Sequence, residues 1–193
     1  MRWTPFGAGA VIRPAGERAN AVVLVLSGTV VAVQAGPTGR EVWPQQWVGP
    51  AIADKPAVLD GGAASTGLLA ATAVAVRLLP ASDFLRLPHE QQSVREHVLR
   101  QLARDVMAGR RRLAQALTLP AAARIAAWLN AQDPADRVAW RGSQEQLARV
   151  LGLSRVTVNR ALARLTGVGA VRLTSRGIVI ADRERLDRLT ADY

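Results

Sequence analysis

The chain has 193 residues, room for one large domain or two small ones, and 25 Lys plus Arg against 15 Asp plus Glu give it a formal charge of +10. Apolar residues make up 49% of it, which supports packed cores and argues against disorder. Without cysteine it has no disulfide, thiolate nucleophile, cysteine-ligated zinc or iron–sulfur cluster, and two histidines (His89, His97) leave little for a metal site. No run approaches the roughly 18 apolar residues of a spanning helix. The opening MRWTPFGAGA lacks a signal-peptide pattern, so a cytoplasmic location with no membrane partner is expected.

Residues 1–80 hold 10 of the 16 glycines and 7 of the 10 prolines. Such punctuation breaks helices and suits short strands. Strands are predicted at 22–26 (VVLVL), running into the turn signal Ser27-Gly28, and at 29–33 (TVVAV). After a hairpin-like connection, Gly36-Pro37-Thr38-Gly39, another is predicted at 40–43 (REVW). The run 68–79 (LLAATAVAVRLL) reads as a further single strand. Strands at this spacing predict a small barrel or sandwich.

Beyond Pro80 glycine and proline become rare, and a long helix is predicted. Leu99, Leu102, Val106, Gly109, Leu113 and Ala116 step by 3, 4, 3, 4 and 3, a coiled-coil seam. The seam predicts a dimer interface with a second copy of the chain; the plainer alternative is an amphipathic helix packed on its own domain. Pro120 then opens a helix over 121–131, and 132–136 reads as a loop.

The segment 143–167, SQEQLARVLGLSRVTVNRALARLTG, carries the most specific pattern. Ser143 and Gln146 match a capping box, which marks a helix start. Leu147, Ala148 and Leu151 form its inner face, Gly152 supplies a tight turn, and Leu153 anchors it. Ser154 caps a second helix on which Val158, Ala161, Leu162 and Leu165 follow the i, i+3, i+4, i+7 rule. Val156, Asn159, Arg160, Ala163 and Arg164 fall on the opposite face, with Arg155 at the tip. Two short helices, a glycine turn and a basic second helix make a helix-turn-helix.

An α-helix fits the major groove, where Arg155 and Arg160 can each grip guanine O6 and N7. Val156 and Asn159 share that face. Ser143, Ser154 and Thr157 can donate hydroxyl hydrogen bonds to phosphates, and the two helix N-termini add oriented N–H groups. Residues 171–180 (VRLTSRGIVI) read as a hairpin wing with Arg176 at its tip, placed for a phosphate, and 182–189 (DRERLDRL) as a short amphipathic helix. Residues 121–193 are the most basic part of the chain, with 12 basic and 7 acidic residues. Since 24 of the 25 basic residues are Arg, base composition alone is a plainer reading of the charge.

The run QEQLARVLGLSRVTVNRALARL, the wing RLTSRGIVI and the terminal DRERLDRL resemble the Crp/Fnr family of bacterial transcription regulators. The resemblance implies an α+β chain. A β-rich effector domain, a small β-barrel or jelly roll of the cyclic-nucleotide-binding kind, spans 1–88. A long dimerisation helix spans 89–119, and a winged helix-turn-helix DNA-binding domain spans 120–193. It places Arg155, Val156 and Arg160 where the family reads bases, and Ser143, Gln144, Ser154 and Thr157 where it holds phosphates. The family commonly has Glu at the position of Val156, so a half-site that differs there is expected.

The resemblance also implies sites that this chain lacks. Cyclic-nucleotide members use a Gly-Glu pair for ribose and an Arg before a small hydroxyl residue for the cyclic phosphate. Here the segments read Val48-Gly49-Pro50 and Ala63-Ala64-Ser65-Thr66-Gly67, without the Glu or the Arg. Binding of cyclic AMP in the family's manner is therefore not expected, nor is any cofactor. Related activators touch RNA polymerase just before the helix-turn-helix, which makes Arg137 and Trp140 candidates for that contact.

The expected partners are double-stranded DNA and a second copy of the chain. A different class of function stays open: a barrel sensing an unidentified small molecule, with the winged helix as a protein-docking module. An enzyme of cupin type is not expected, because 1–80 has no histidine and its carboxylates (Glu17, Glu41, Asp54, Asp60) are scattered.

Overall fold

The computed structural model describes residues 3–36, 39–132, 138–140, 142–175 and 177–191. The chain divides into two compact units, Met1–Met107 and Ala108–Tyr193. The first contains β1 (Thr4–Phe6), β2 (Val11–Arg13), β3 (Ala21–Ser27), β4 (Thr29–Ala35), β5 (Glu41–Val42), β6 (Gln46–Val48) and β7 (Ala51–Ala53). There follow α1 (Lys55–Asp60), β8 (Gly67–Ala70), β9 (Val74–Pro80) and α2 (Ala81–Glu90), then the start of α3 (Gln92–Thr118).

The strands form two antiparallel sheets, β1-β9-β3-β7 and β2-β8-β4-β5, with β6 also pairing β4. This is a jelly-roll-like sandwich rather than a closed barrel. Its core joins Val23, Val25, Val74 and Val76 of one sheet to Val30, Leu68 and Ala70 of the other. The alternate residues of β3 face the other way. Val22 packs with Val58, Phe84 and Val98 from α1, α2 and α3. That explains the unbroken apolar run VVLVL: a strand buried on both faces has no solvent side to make polar.

Gly28 carries the chain from one sheet to the other. Its φ is +80°, and a Cβ there would lie 2.2 Å from the Ala73 carbonyl oxygen. β4 and β5 pair as a hairpin, Gln34 opposite Val42 and Ala35 opposite Glu41; Pro37 and Thr38 of its predicted turn lie outside the described residues.

The single strand expected over 68–79 is two strands in different sheets, β8 beside β4 and β9 beside β3. The crossing at 71–73 has no glycine or proline to announce it. Instead the Thr72 hydroxyl accepts a hydrogen bond from the Thr29 N–H at 2.9 Å. The helical stretch beyond Pro80 is two helices, α2 with Pro88 inside it and α3, separated by a break at Gln91 in extended backbone (φ −129°, ψ 113°). On α3, Val98 is buried, and Val94 and Leu102 pack with it against their own unit. Leu102 is therefore partly occupied before any partner arrives.

The second unit adds α4 (Ala121–Asn130), β10 (Val138–Trp140), α5 (Gln144–Leu151), α6 (Arg155–Gly167), β11 (Val171–Thr174), β12 (Gly177–Ile180) and α7 (Arg183–Ala191). One core serves all of it: Ile125, Leu129, Leu147, Val158, Leu162, Leu165, Ile178 and Leu186 are each no more than 3% exposed. The wing is an antiparallel pair with Val171 opposite Ile180 and Thr174 opposite Gly177. β10 extends it into a three-stranded sheet ordered β10-β12-β11. A three-residue strand beside a loop has too few alternations to be read from sequence. Its Trp140 meets Trp128 edge to face, with centroids 5.1 Å apart and planes at 82°.

Candidate nucleic-acid interface

The interface begins at the cap of α5. Ser143 Oγ accepts from the Gln146 N–H at 3.1 Å, and Gln146 Oε1 accepts from the Ser143 N–H at 2.9 Å. Two N–H groups that the first turn leaves without helical partners are thus satisfied. At its other end Gly152 adopts φ 62° and ψ 31°, a left-handed turn that glycine enters at least steric cost. α6 then starts at a second cap. Ser154 Oγ accepts from the Thr157 N–H at 3.0 Å and lies 2.7 Å from Thr157 Oγ1. One proton lies between those two oxygens, so one of the two hydroxyls stays free to donate outward.

The two faces of α6 separate cleanly. Val158, Ala161, Leu162 and Leu165 are buried, while Arg155, Val156, Asn159, Arg160, Ala163 and Arg164 are exposed. Val156 is 58% exposed and lies between the arginines of that face. α6 has three arginines and no carboxylate. The structure thus brings Arg155, Val156, Asn159 and Arg160 onto one open face, with the Ser154–Thr157 pair at its leading edge.

A groove of about 310 Å³ opens between the wing and the start of α5, lined by Ser143, Gln144, Trp140, Leu173, Thr174 and Ser175. Ser143 and Gln144 therefore share one recess. Arg176 and Arg137 lie outside the described residues. The indole N–H of Trp140 donates to the Ser143 carbonyl at 3.2 Å, which ties that ring to the cap of α5.

Three arginines of this unit act elsewhere, and sequence reasoning passed over them. Arg124 Nη2 on α4 donates to the Leu151 carbonyl at 2.5 Å, Arg183 Nη1 to that of Asn130 at 3.4 Å, and Arg185 Nη1 to that of Val168 at 2.9 Å. These carbonyls end α5, α4 and α6 respectively. Burial pushes Arg124 below the usual arginine value. Nothing in the spacing marks these arginines as different from those on the open face of α6; only tertiary placement does.

In the first unit, Arg13 pairs with Asp54, and its Nη2 also donates to the Thr66 carbonyl at 3.1 Å. Both side chains are nearly inaccessible, at 11% and 9% exposure. Burial raises the Asp54 carboxyl above its ordinary value, with the Arg13 hydrogen bond and charge acting against it. The adjacent Lys55 is also buried and donates to the Ile52 carbonyl at 2.9 Å. Burial lowers its ammonium below the ordinary value, opposed by the charge of Asp105.

The segment 63–67 brings no cation of its own, and Ala64 within it is buried, its N–H donating to the Glu17 carbonyl at 2.9 Å. Gly49 packs so closely on Leu26 that a Cβ would lie 2.7 Å from its backbone. Among the described residues no three His, Asp or Glu stand together as a metal site, and no helix is long and apolar enough to cross a membrane.

Comparison with known proteins agrees with this geometry. Residues 111–189 match the family model of the Crp-like helix-turn-helix domain. A CRP-like cAMP-activated global transcriptional regulator of Mycobacterium tuberculosis is 26% identical over 95% of this chain and 85% of its own length. The structure of FixK2 from Bradyrhizobium japonicum shares the fold with a TM-score of 0.81 at 21% identity, covering 98% of both chains. A CRP-family transcriptional regulator from Thermus thermophilus does so with a TM-score of 0.76 at 23% identity, over 97% of this chain and 96% of that one. With its open α6 and its wing, the segment 111–189 is similar to the Crp-like helix-turn-helix domain, and the chain as a whole, jelly-roll first unit included, is similar to regulators of the Crp/Fnr kind.

Proposed function

We propose that two copies of this chain bind one pseudo-palindromic site on double-stranded DNA, without cyclic AMP, and regulate transcription from it in the cytoplasm. The observation that carries the reading is α6, whose apolar face is fully engaged while its arginine-bearing face, with an exposed valine, is left open. Arg155 and Arg160 read guanines, Val156 touches a thymine methyl, and Asn159 reaches a base edge. Ser143, Gln144, Ser154 and Thr157 hold phosphates, and Arg176 adds a wing contact. The function is recognition, not catalysis.

Pairing follows from α3. Leu99, Val106 and Leu113 are 60%, 53% and 61% exposed along the seam, a stripe that a twin helix would cover. Leu102 and Gly109 lie on the same line, although Leu102 gives part of its surface to its own unit. Independence from cyclic AMP is supported by the first unit. Its buried guanidinium at Thr66 is already neutralised by Asp54, and a cyclic phosphate buried there would lack a cation of its own.

Selection from random duplexes with ligand-free protein tests the whole reading. It should return a palindrome whose half-site departs from the usual family sequence at the pair met by Val156. Enrichment of no motif, or only in the presence of cyclic AMP, overturns it. Arg160→Ala should weaken the selected site by about 1–3 kcal/mol and relax preference at one base pair. Equal loss on random DNA, seen by fluorescence anisotropy, would mark Arg160 as a phosphate contact instead.

A further inference from the structure

We infer that Arg124 and Arg185 are positioning residues that set the pose of α6 by capping the carbonyl ends of α5 and α6; the inference deepens the DNA-recognition reading above and rests on it for its consequence. A helix leaves its last carbonyls unpaired and its C-terminus partly negative. At the end of α5 the Gly152 and Leu153 N–H groups return to Ala148 and Arg149. The Leu151 carbonyl, which points into the turn leading to α6, is taken by Arg124 from α4. A charged donor there fixes the turn against α4, whose Ile125 and Leu129 lie in the core with Leu162 and Leu165 of α6.

At the far end of α6, Arg185 performs the matching task from α7. Its Nη1 donates to the Val168 carbonyl, and its Nε is held by Asp182 at 2.9 Å. The chain makes room for it: Gly169 sits at φ +71°, and a Cβ there would lie 2.8 Å from Arg185 Nη1. α7 is itself fixed, because Leu186 is fully buried and Asp187 accepts from Asn130 at 2.6 Å. One cation therefore grips the end of α5, before the turn into α6, and the other grips the end of α6 itself. These two arginines are spent on backbone carbonyls, which separates them from Arg155 and Arg160.

The test replaces each guanidinium with an apolar stem, Arg124→Met and Arg185→Met, and restores a cation in Arg124→Lys and Arg185→Lys. Affinity for the selected duplex and for random duplex is measured by anisotropy over a salt series, and amide exchange in 151–170 is followed on DNA-free protein. The Met variants should lose at least tenfold on the selected site and less than twofold on random DNA. The slope of log K against log salt should not change, and the Lys variants should recover part of the loss. Exchange across the turn and the last turn of α6 should accelerate, while amides of the first unit stay unchanged.

Equal losses on both duplexes, with a slope shallower by about 0.9, would make the residue a phosphate ligand and overturn the inference. So would unchanged exchange in 151–170. If the parent protein selects no site, the functional reading falls, and the exchange arm still decides whether the two cations fix α6. Should Arg124→Met fail to fold, Arg185→Met, whose side chain is half exposed, carries the test.

Discussion

Asp54→Ala should destabilise the first unit by about 3–5 kcal/mol, because it leaves the Arg13 guanidinium buried with no counter-charge. The double variant Arg13→Met with Asp54→Asn should recover most of that loss, since it removes both charges at once and Asn tolerates the left-handed backbone there (φ 58°). Urea titrations of the parent, single and double variants decide the matter; a single-variant loss below about 1 kcal/mol would mean that water reaches the pair. The pH dependence sets the desolvation of Asp54 against its pairing with Arg13. Burial raises the Asp54 carboxyl, so in the acid range the folded unit holds this proton to higher pH than the unfolded chain does. Its contribution to stability therefore falls as pH rises through that window. Lys55 behaves oppositely at alkaline pH. Its lowered ammonium means that the unfolded chain binds more protons, so stability gains as pH climbs toward the ordinary lysine value.

Leu162→Ala should cost the second unit about 2–5 kcal/mol, the range for emptying a well-packed leucine site. Leu162 is 1% exposed and shares its core with Leu129 of α4, Leu147 of α5, Val158 of α6 and Leu186 of α7, so little can move in to fill the void. Val156→Ala on the same helix gives the contrast. At 58% exposure it should change stability by no more than about 0.5 kcal/mol. Thermal melts read both. A small effect of Leu162→Ala, or a large one of Val156→Ala, would reverse the assignment of the faces of α6 on which base reading depends.

The second unit was legible because its signals are local. A capping box, a glycine turn and a four-residue apolar stripe each act within a few residues, and all appear where the spacing puts them. The sandwich was legible only in outline. Period-two patterning places Val23 and Val25 in a core, but it says nothing of which sheet a strand joins, and the Ala71–Ala73 crossing is marked by a threonine hydroxyl alone. Charge was the least legible property. Arg13 and Asp54 are 41 residues apart in sequence and meet only once the sheet and α1 are formed. Likewise the arginines that cap carbonyls and those that face outward have identical sequence signatures.

Lys55 is the chain's only lysine, and it is 5% exposed with its amine turned inward to the Ile52 carbonyl. Reagents that acylate side-chain amines, whether laboratory crosslinkers or enzymatic acetyl donors, therefore meet no accessible lysine on the folded protein. Proximity maps of its assemblies will have to be drawn with carboxyl- or arginine-directed chemistry. Any lysine introduced on the surface becomes the one accessible lysine side chain for a dye or a tether.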